Sequence, residues 1–196
     1  MRVFDISEWQ SDNTIQKIKD LGAEGVILRI GVTIGGKPDL DQKFIRFVND
    51  AVAAGIPYGI YYYNKMHDYD SALTEIQWIN DRVYEYLNGQ EPPLGVWLDI
   101  EDEQTKFAGI HDIVLWAINT MQGWGFKKVG IYSGYYFFKD FFDLTDLSVK
   151  QIPIWCAIYN SVNYLKEEWP ELNWYGWQFT EAYDGNSLDG NEWYKA

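Results

Sequence analysis

Gly25-Val26-Ile27-Leu28-Arg29-Ile30 is apolar on both strand faces apart from Arg29. A strand with one wet face alternates; a run like this belongs to a parallel sheet covered on both sides. Working outward, Val3–Ile6 reads as a strand and Thr14–Leu21 as a short helix, with Ile15, Ile18 and Leu21 on one face. Phe44, Phe47, Val48, Ala51 and Val52 give the i, i+3, i+4 stripe of a helix that ends at Gly55. Tyr58–Tyr63 is a third strand and Ala72–Leu87 a helix. Gly95–Ile100 is a fourth strand, Ile110–Met121 a helix, Lys128–Tyr132 a fifth strand and Tyr135–Phe142 a short aromatic helix.

After residue 150 the rhythm changes. Ile154–Ile158, Tyr175–Phe179 and a short segment at Leu188–Asp189 read as strands, with connections too short or too polar for ordinary crossover helices. Eight strands with about five helices predict a closed α/β barrel, an irregular TIM-like (β/α)5(β)3 form. Such barrels usually take about 250 residues, so a 196-residue chain is expected to lack helices in its C-terminal third. An open doubly wound sheet is the second reading. No linker, repeat or low-complexity segment interrupts the chain, so residues 1–196 are expected to form one domain.

The formal charge of −13 argues against a nucleic-acid partner, which needs a basic face, and against anionic membrane surfaces. Cys156 stands alone, which excludes an internal disulfide and a cysteine zinc site. With only His67 and His111 as imidazoles, neither a metal nor another cofactor is expected. The opening MRVFDISEWQ has no apolar core of a signal peptide, so synthesis and folding in a cytoplasm are expected. No apolar run reaches membrane-span length. Aromatic residues make up 18% of the chain. Such density fills cores, and it also lines sugar clefts, where ring faces stack on pyranose C–H faces.

Trp97-Leu98-Asp99-Ile100-Glu101-Asp102 places two carboxylates at the C-terminal end of the fourth strand, where barrel enzymes carry their active sites. Two neighbouring carboxylates repel, so one tends to keep its proton, which is what glycoside hydrolysis requires. Glu101 is expected to be the protonated member and Asp99 the ionised one. Asp5 ends the first strand and Asp189 lies at the last; barrel closure makes these strands neighbours, so the two carboxylates should meet. Arg29 needs an anionic partner, for which Asp5 on the adjacent strand is the candidate.

Two motifs mislead. Gly31–Lys37 has the G-x-x-x-x-G-K spacing of a phosphate loop, but Pro38 stands where Ser or Thr must bind magnesium, so the run reads as a flexible glycine-rich loop. Ser133 lacks the G-x-S-x-G frame and no histidine follows it.

Seven short motifs in order resemble the catalytic domain of glycoside hydrolase family 25, the Chalaropsis-type lysozymes of phage endolysins and autolysins. They are Asp5-Ile6-Ser7-Glu8-Trp9-Gln10, Gly59-Ile60-Tyr61-Tyr62-Tyr63, Leu98-Asp99-Ile100-Glu101, Ile131-Tyr132-Ser133-Gly134, Trp155-Cys156-Ala157, Trp177-Gln178-Phe179 and Leu188-Asp189-Gly190-Asn191. The resemblance implies the same barrel of five β/α units and three strands. It also implies cleavage of the β-1,4 bond between N-acetylmuramic acid and N-acetylglucosamine in peptidoglycan, with retention. Glu101 matches the general acid, and Asp99 the residue that steers the substrate's 2-acetamido group as internal nucleophile. Asp5 and Asp189 match further groove carboxylates. Tyr62, Trp155, Trp177 and Gln178 match substrate-contacting motif positions. Tyr62 replaces a frequent histidine, and the family's usual continuation after Gln10 is missing. Chitinase-type barrels carry D-x-D-x-E on the fourth strand, whereas the outer position here is Trp97.

The alternative is a catalytically silent glycan-binding barrel, in which Glu101 or Asp99 would be expected to be neutral; both are acidic. The resemblance further implies action on a bacterial wall after release from the cell, as a phage lysin, prophage product or autolysin. A wall-binding module C-terminal to these residues is expected in the longer members.

Overall fold

The computed structural model describes residues 1–185 and 187–195. Among these residues nine strands occur: β1 (Arg2–Ile6), β2 (Gly25–Ile34), β3 (Lys37–Leu40), β4 (Tyr58–Tyr63), β5 (Val96–Asp99), β6 (Val129–Gly134), β7 (Pro153–Ala157), β8 (Asn173–Thr180) and β9 (Asp189–Trp193). Seven α-helices intervene: α1 (Thr14–Asp20), α2 (Phe44–Ala54), α3 (Tyr69–Leu87), α4 (Ile110–Gly123), α5 (Tyr135–Phe141), α6 (Leu144–Val149) and α7 (Tyr164–Glu168). Eight strands close into a barrel in the order β1-β2-β4-β5-β6-β7-β8-β9, with β9 back against β1. The strands β1 through β8 of the barrel pair in parallel; β9 runs antiparallel to both neighbours. The expected barrel is therefore present, and the open sheet is not.

Three local readings are corrected. The run Gly31–Lys37 is no flexible loop: β2 continues to Ile34, turns through Gly35 and Gly36 with φ of 58° and 76°, and returns as β3. Two consecutive positive-φ glycines match the right-handed twist of a two-residue hairpin. Pro38 is tolerated there because β3 lies at a sheet edge. Helices α6 and α7 were not anticipated, being too short to show a periodic stripe. The last strand starts at Asp189 and continues to Trp193 rather than ending near it.

Two apolar layers follow from strand alternation. Outward-facing Phe4, Leu28, Ile60, Leu98 and Ile131 pack against the helices, which supply Ile18, Phe47, Ile76, Ile79, Val114 and Ile118. Helix α3 is anchored by a capping box in which Asp68 accepts the Ser71 N–H while Ser71 accepts the Asp68 N–H. The lumen is filled differently, by Val3, Ile27, Leu94, Trp97, Tyr132, Trp155 and Trp193. The indoles of Trp97, Trp155 and Trp193 meet edge to face at 5.2–5.9 Å between ring centroids. Much of the aromatic content is thus barrel filling rather than sugar platform.

Such bulk needs a gap opposite. At Gly176 a Cβ would stand 2.4 Å from the Trp193 ring and 2.8 Å from Trp155. Gly176→Ala is expected to cost about 1–3 kcal/mol, because two packed indoles must shift together. A denaturant midpoint equal to that of the native protein would show that the lumen yields more easily than its packing indicates.

Candidate active site

The C-terminal strand ends form a bowl, and its floor is the lumen cluster. Asp5 lies next to the end of β1, in register with Ile27 of β2 and Asp189 of β9. Because β9 is antiparallel, its first residue lies at the same end as the last residues of its neighbours. The Asp5 and Asp189 carboxyls are near enough that each shifts the proton affinity of the other. Burial pushes Asp189 up to about 8, with the Asp5 charge adding to it. Burial also raises Asp5, against two amide donors on its Oδ2: Asn191 Nδ2 at 2.7 Å and Gln178 Nε2 at 3.0 Å. Those amides favour the ionised form of Asp5, whereas Asp189, raised to about 8, keeps its proton at neutral pH.

Asp99 ends β5, in register with Tyr63 and Tyr132. It is 3% exposed and its Oδ1 has no hydrogen-bond partner among the described residues. Burial, then the charges of Glu101 and Asp5, hold it well above the ordinary carboxylate range. In the free protein these surroundings oppose the ionised state expected of Asp99. The Arg29 charge lowers it too little to compensate.

Glu101 stands on the rim two residues further, its side chain reaching solvent. Its pKa is raised by the surrounding walls and by the charges of Asp5 and Asp102. Neither an ion pair nor a hydrogen bond holds its carboxyl among the described residues. The backbone beneath it is fixed: Ile100 N–H donates to the Tyr132 carbonyl at 2.9 Å, and Ser133 Oγ to the Ile100 carbonyl at 2.5 Å. Ser133 thus tethers the chain between the two acids. Asp102 caps the following turn through Gln104 N–H at 2.9 Å and lies 3.4 Å from Lys65 Nζ, which helps keep it ionised.

The structure accordingly brings Asp5, Asp99, Glu101 and Asp189 together at one mouth, close enough to act on one another electrostatically. The other assignments divide. Gln178 reaches the bowl: besides bonding Asp5, its Oε1 accepts from Tyr132 Oη at 2.8 Å and Tyr159 Oη at 3.0 Å. Trp155 lies in the lumen but is 1% exposed; its Nε1 donates to Asn191 Oδ1 at 2.8 Å and so holds the amide that holds Asp5. Tyr62 is corrected: it faces the helix layer, bonded to Thr33 Oγ1 at 2.8 Å and 5.5 Å from the Trp78 ring. Its neighbours Tyr61 and Tyr63 are the ones that face the carboxylates. Trp177 is likewise corrected: it lies opposite Gln178 on β8, where Nε1 donates to the Ile158 carbonyl at 2.9 Å. A two-residue period forbids adjacent residues to share the bowl.

Arg29 is corrected as well. Asp5 pairs with Ile27, two residues short of Arg29, so the guanidinium passes above it. It bridges Glu8 at 2.8 Å and Asp41 at 2.8 Å, tying the β1–α1 loop to the segment before α2. Asn191, Tyr61, Tyr63, Tyr132 and Tyr159 had no assigned role. Asn191 and Tyr132 lie inside the quoted motifs, so parity with Asp189 and register with Asp99 were the available signals.

A mostly parallel barrel with four interacting carboxylates at its C-terminal mouth has the form of a glycoside hydrolase. The model of glycosyl hydrolases family 25 matches residues 4–188, and the chain belongs to that family. A search of curated proteins gives no match. Among solved structures, the chain is similar to the spore cortex lytic enzyme SleM of Clostridium perfringens (TM-score 0.81, 22% identity, covering 99% of this chain and 67% of that one). It is similar to the modular autolysin LytC of Streptococcus pneumoniae (TM-score 0.79, 22% identity, 98% of this chain), of which it spans about half the length, 46%. The catalytic domain of endolysin ply40 from bacteriophage P40 of Listeria monocytogenes is covered over 93% of its length (TM-score 0.73, 19% identity, 100% of this chain). At these identities the likeness is one of fold.

Proposed function

We propose that this chain is a muramidase that hydrolyses the β-1,4 bond between N-acetylmuramic acid and N-acetylglucosamine in bacterial peptidoglycan, acting on the wall outside the cell that makes it. Family membership gives the chemistry its class, and one observation carries the roles: a rim acid and a buried acid lie two residues apart with unlike surroundings. Glu101, exposed and raised, is the proton donor to the leaving glycosidic oxygen. Asp99, buried with an unpartnered Oδ1, is the acceptor for the substrate's acetamido N–H. The acetamido carbonyl oxygen then attacks C1 as the C1–O bond breaks, giving an oxazolinium. Water, deprotonated by Glu101, adds to C1 and opens that ring with net retention. No metal or cofactor takes part in the scheme.

The proton count matters. The productive state carries a proton on Glu101 and none on Asp99, whereas burial favours a proton on Asp99 in the free protein. An N–H donor on Oδ1 stabilises the ionised carboxylate, so a bound acetamido group moves the distribution toward the productive state. Asp5 and Asp189 act as a pair of acids that shapes the bowl, held by Gln178 and Asn191, with Tyr159 on the rim as a sugar contact. Longer family members suggest a partner module for wall binding.

Mass spectrometry of digested walls, with early-time proton NMR of the anomeric signals, tests the reading. The new reducing ends are expected to carry N-acetylmuramic acid, with the β-anomer formed first. N-acetylglucosamine at the reducing ends would define a glucosaminidase, and an initial α-anomer would remove the internal nucleophile. A wall that is bound but not cut would establish the silent binding barrel.

A further inference from the structure

A cleft of about 570 Å3 lies outside the bowl, between α1 and the segment leading into β9. Ligand pockets commonly have about this size. Its lining includes Trp9, Lys17, Asp20, Leu21 and Leu188. Its upper end is the rim, since Leu188 directly precedes Asp189 and Trp9 follows Asp5 by four residues. Helix α1 returns from the mouth toward the other end of the barrel, where Arg2 at the start of β1 bonds the Leu21 carbonyl at 2.5 Å. The cleft therefore leaves the rim and descends the barrel flank.

Two features point to an occupant. The Trp9 indole is 80% exposed although its loop is pinned. Glu8 N–H donates to Asp41 at 2.9 Å, Ser7 N–H to Gln10 Oε1 at 2.8 Å, and Lys43 Nζ to the Gln10 carbonyl at 2.6 Å. An exposed indole on a rigid loop beside a cleft offers its ring face to a ligand there. Second, Lys17 and Asp20 both line the cleft three residues apart on α1, yet neither forms an ion pair among the described residues. Arg82 and Glu85, with the same spacing and order, close to 3.1 Å. Lys17 Nζ donates to the neutral Ser11 Oγ at 3.2 Å and Asp20 accepts from the neutral Gln16 Nε2 at 2.7 Å. Each is thus hydrogen-bonded but without a counter-charge among the described residues, which suits a ligand that carries both charges.

We propose that this cleft takes the peptide stem of the muramyl residue bound in the bowl. A stem carboxylate pairs with Lys17, a side-chain ammonium of the stem with Asp20, and its methyl groups and amides lie on Trp9 and Leu188. The assignment rests on the muramidase reading. Glycan runs across the mouth, whereas the stem branches from it and can follow the flank; glycan also brings no ammonium for Asp20.

The test compares kcat/KM on uncross-linked glycan strands that bear stems and on the same strands stripped by an amidase. Lys17→Glu turns attraction into repulsion, and the stem-bearing to stripped ratio is expected to fall about five- to tenfold. Lys17→Gln should move it the same way by less, and Trp9→Ala should lower it too. Thermal unfolding checks that the variants fold. An unchanged ratio in both lysine variants overturns the proposal, as does a Trp9→Ala loss equal on both substrates, which would make the cleft a glycan subsite. A native protein that cuts neither substrate fails the muramidase reading itself, a separate and recognisable result.

Discussion

Glu101→Gln is expected to lower wall lysis by about 10²–10⁴-fold while leaving the fold intact, the range that positioned acid catalysis supplies. Gln keeps the shape of the protonated acid but has no proton to give. It also cannot accept one from water in the second step, so both halves of the reaction suffer. The fold should tolerate it: Glu101 has no partner to lose among the described residues, its side chain is exposed, and the charges of Asp5 and Asp102 repel it. The measurement is lysis rate beside thermal unfolding of one preparation. A folded Gln variant that lyses walls at the native rate would falsify the role of Glu101 and move the acid to Asp189, whose proton affinity is also raised at the same mouth.

The barrel was legible because its strands announce themselves. GVILRI and GVWLDI are apolar on both faces, and the helices between them carry clear stripes. The helix-poor C-terminal third was legible from the same rhythm. Less visible was which face each motif residue takes. In Tyr58–Tyr63 both faces are aromatic, so the run contains no alternation to separate Tyr62 on the helix side from Tyr61 and Tyr63 on the bowl side. Trp177-Gln178 poses the same problem, since both residues suit a sugar. Only cross-strand register resolves it, and register is a long-range property fixed by barrel closure and by bulges such as that between Ile154 and Trp155. The Arg29 partner failed for a related reason: adjacency of strands was inferred, but the offset between Asp5 and Arg29 along them was not.

The electrostatics of Asp99 show a further limit. A D-x-E pair in sequence says that one acid keeps a proton, not which. Depth decides it, and depth came from Tyr132 and Tyr63 beside Asp99 and from the indoles below, all brought from other strands.

That depth makes Asp99→Asn the informative partner of Glu101→Gln, because it should abolish function while improving stability at alkaline pH. The folded-state pKa of Asp99 is raised well above its ordinary value of 3.8. The folded protein therefore holds a proton that the unfolded chain releases, and stability falls as pH rises above about 4 until the folded carboxyl itself ionises. Each pH unit in that window costs about 1.4 kcal/mol for one such group. Asp5, Asp189, Glu75 and Glu101 are raised too and add slopes of the same sign. Asn matches protonated Asp in volume and cannot ionise, so it removes one slope and leaves the others. A new unpaired N–H in the bowl costs about 1–3 kcal/mol at every pH, which lowers the whole curve without tilting it. Denaturant midpoints at pH 4, 6 and 8 separate the two effects: the variant should gain on the native protein as pH rises above 4, until the folded Asp99 carboxyl ionises. Lysis should be lost throughout, since Asn cannot supply the negative charge that an oxazolinium needs beside its N–H. Parallel stability curves would mean that Asp99 is ionised in the folded protein, with its Oδ1 solvated by water entering from the bowl.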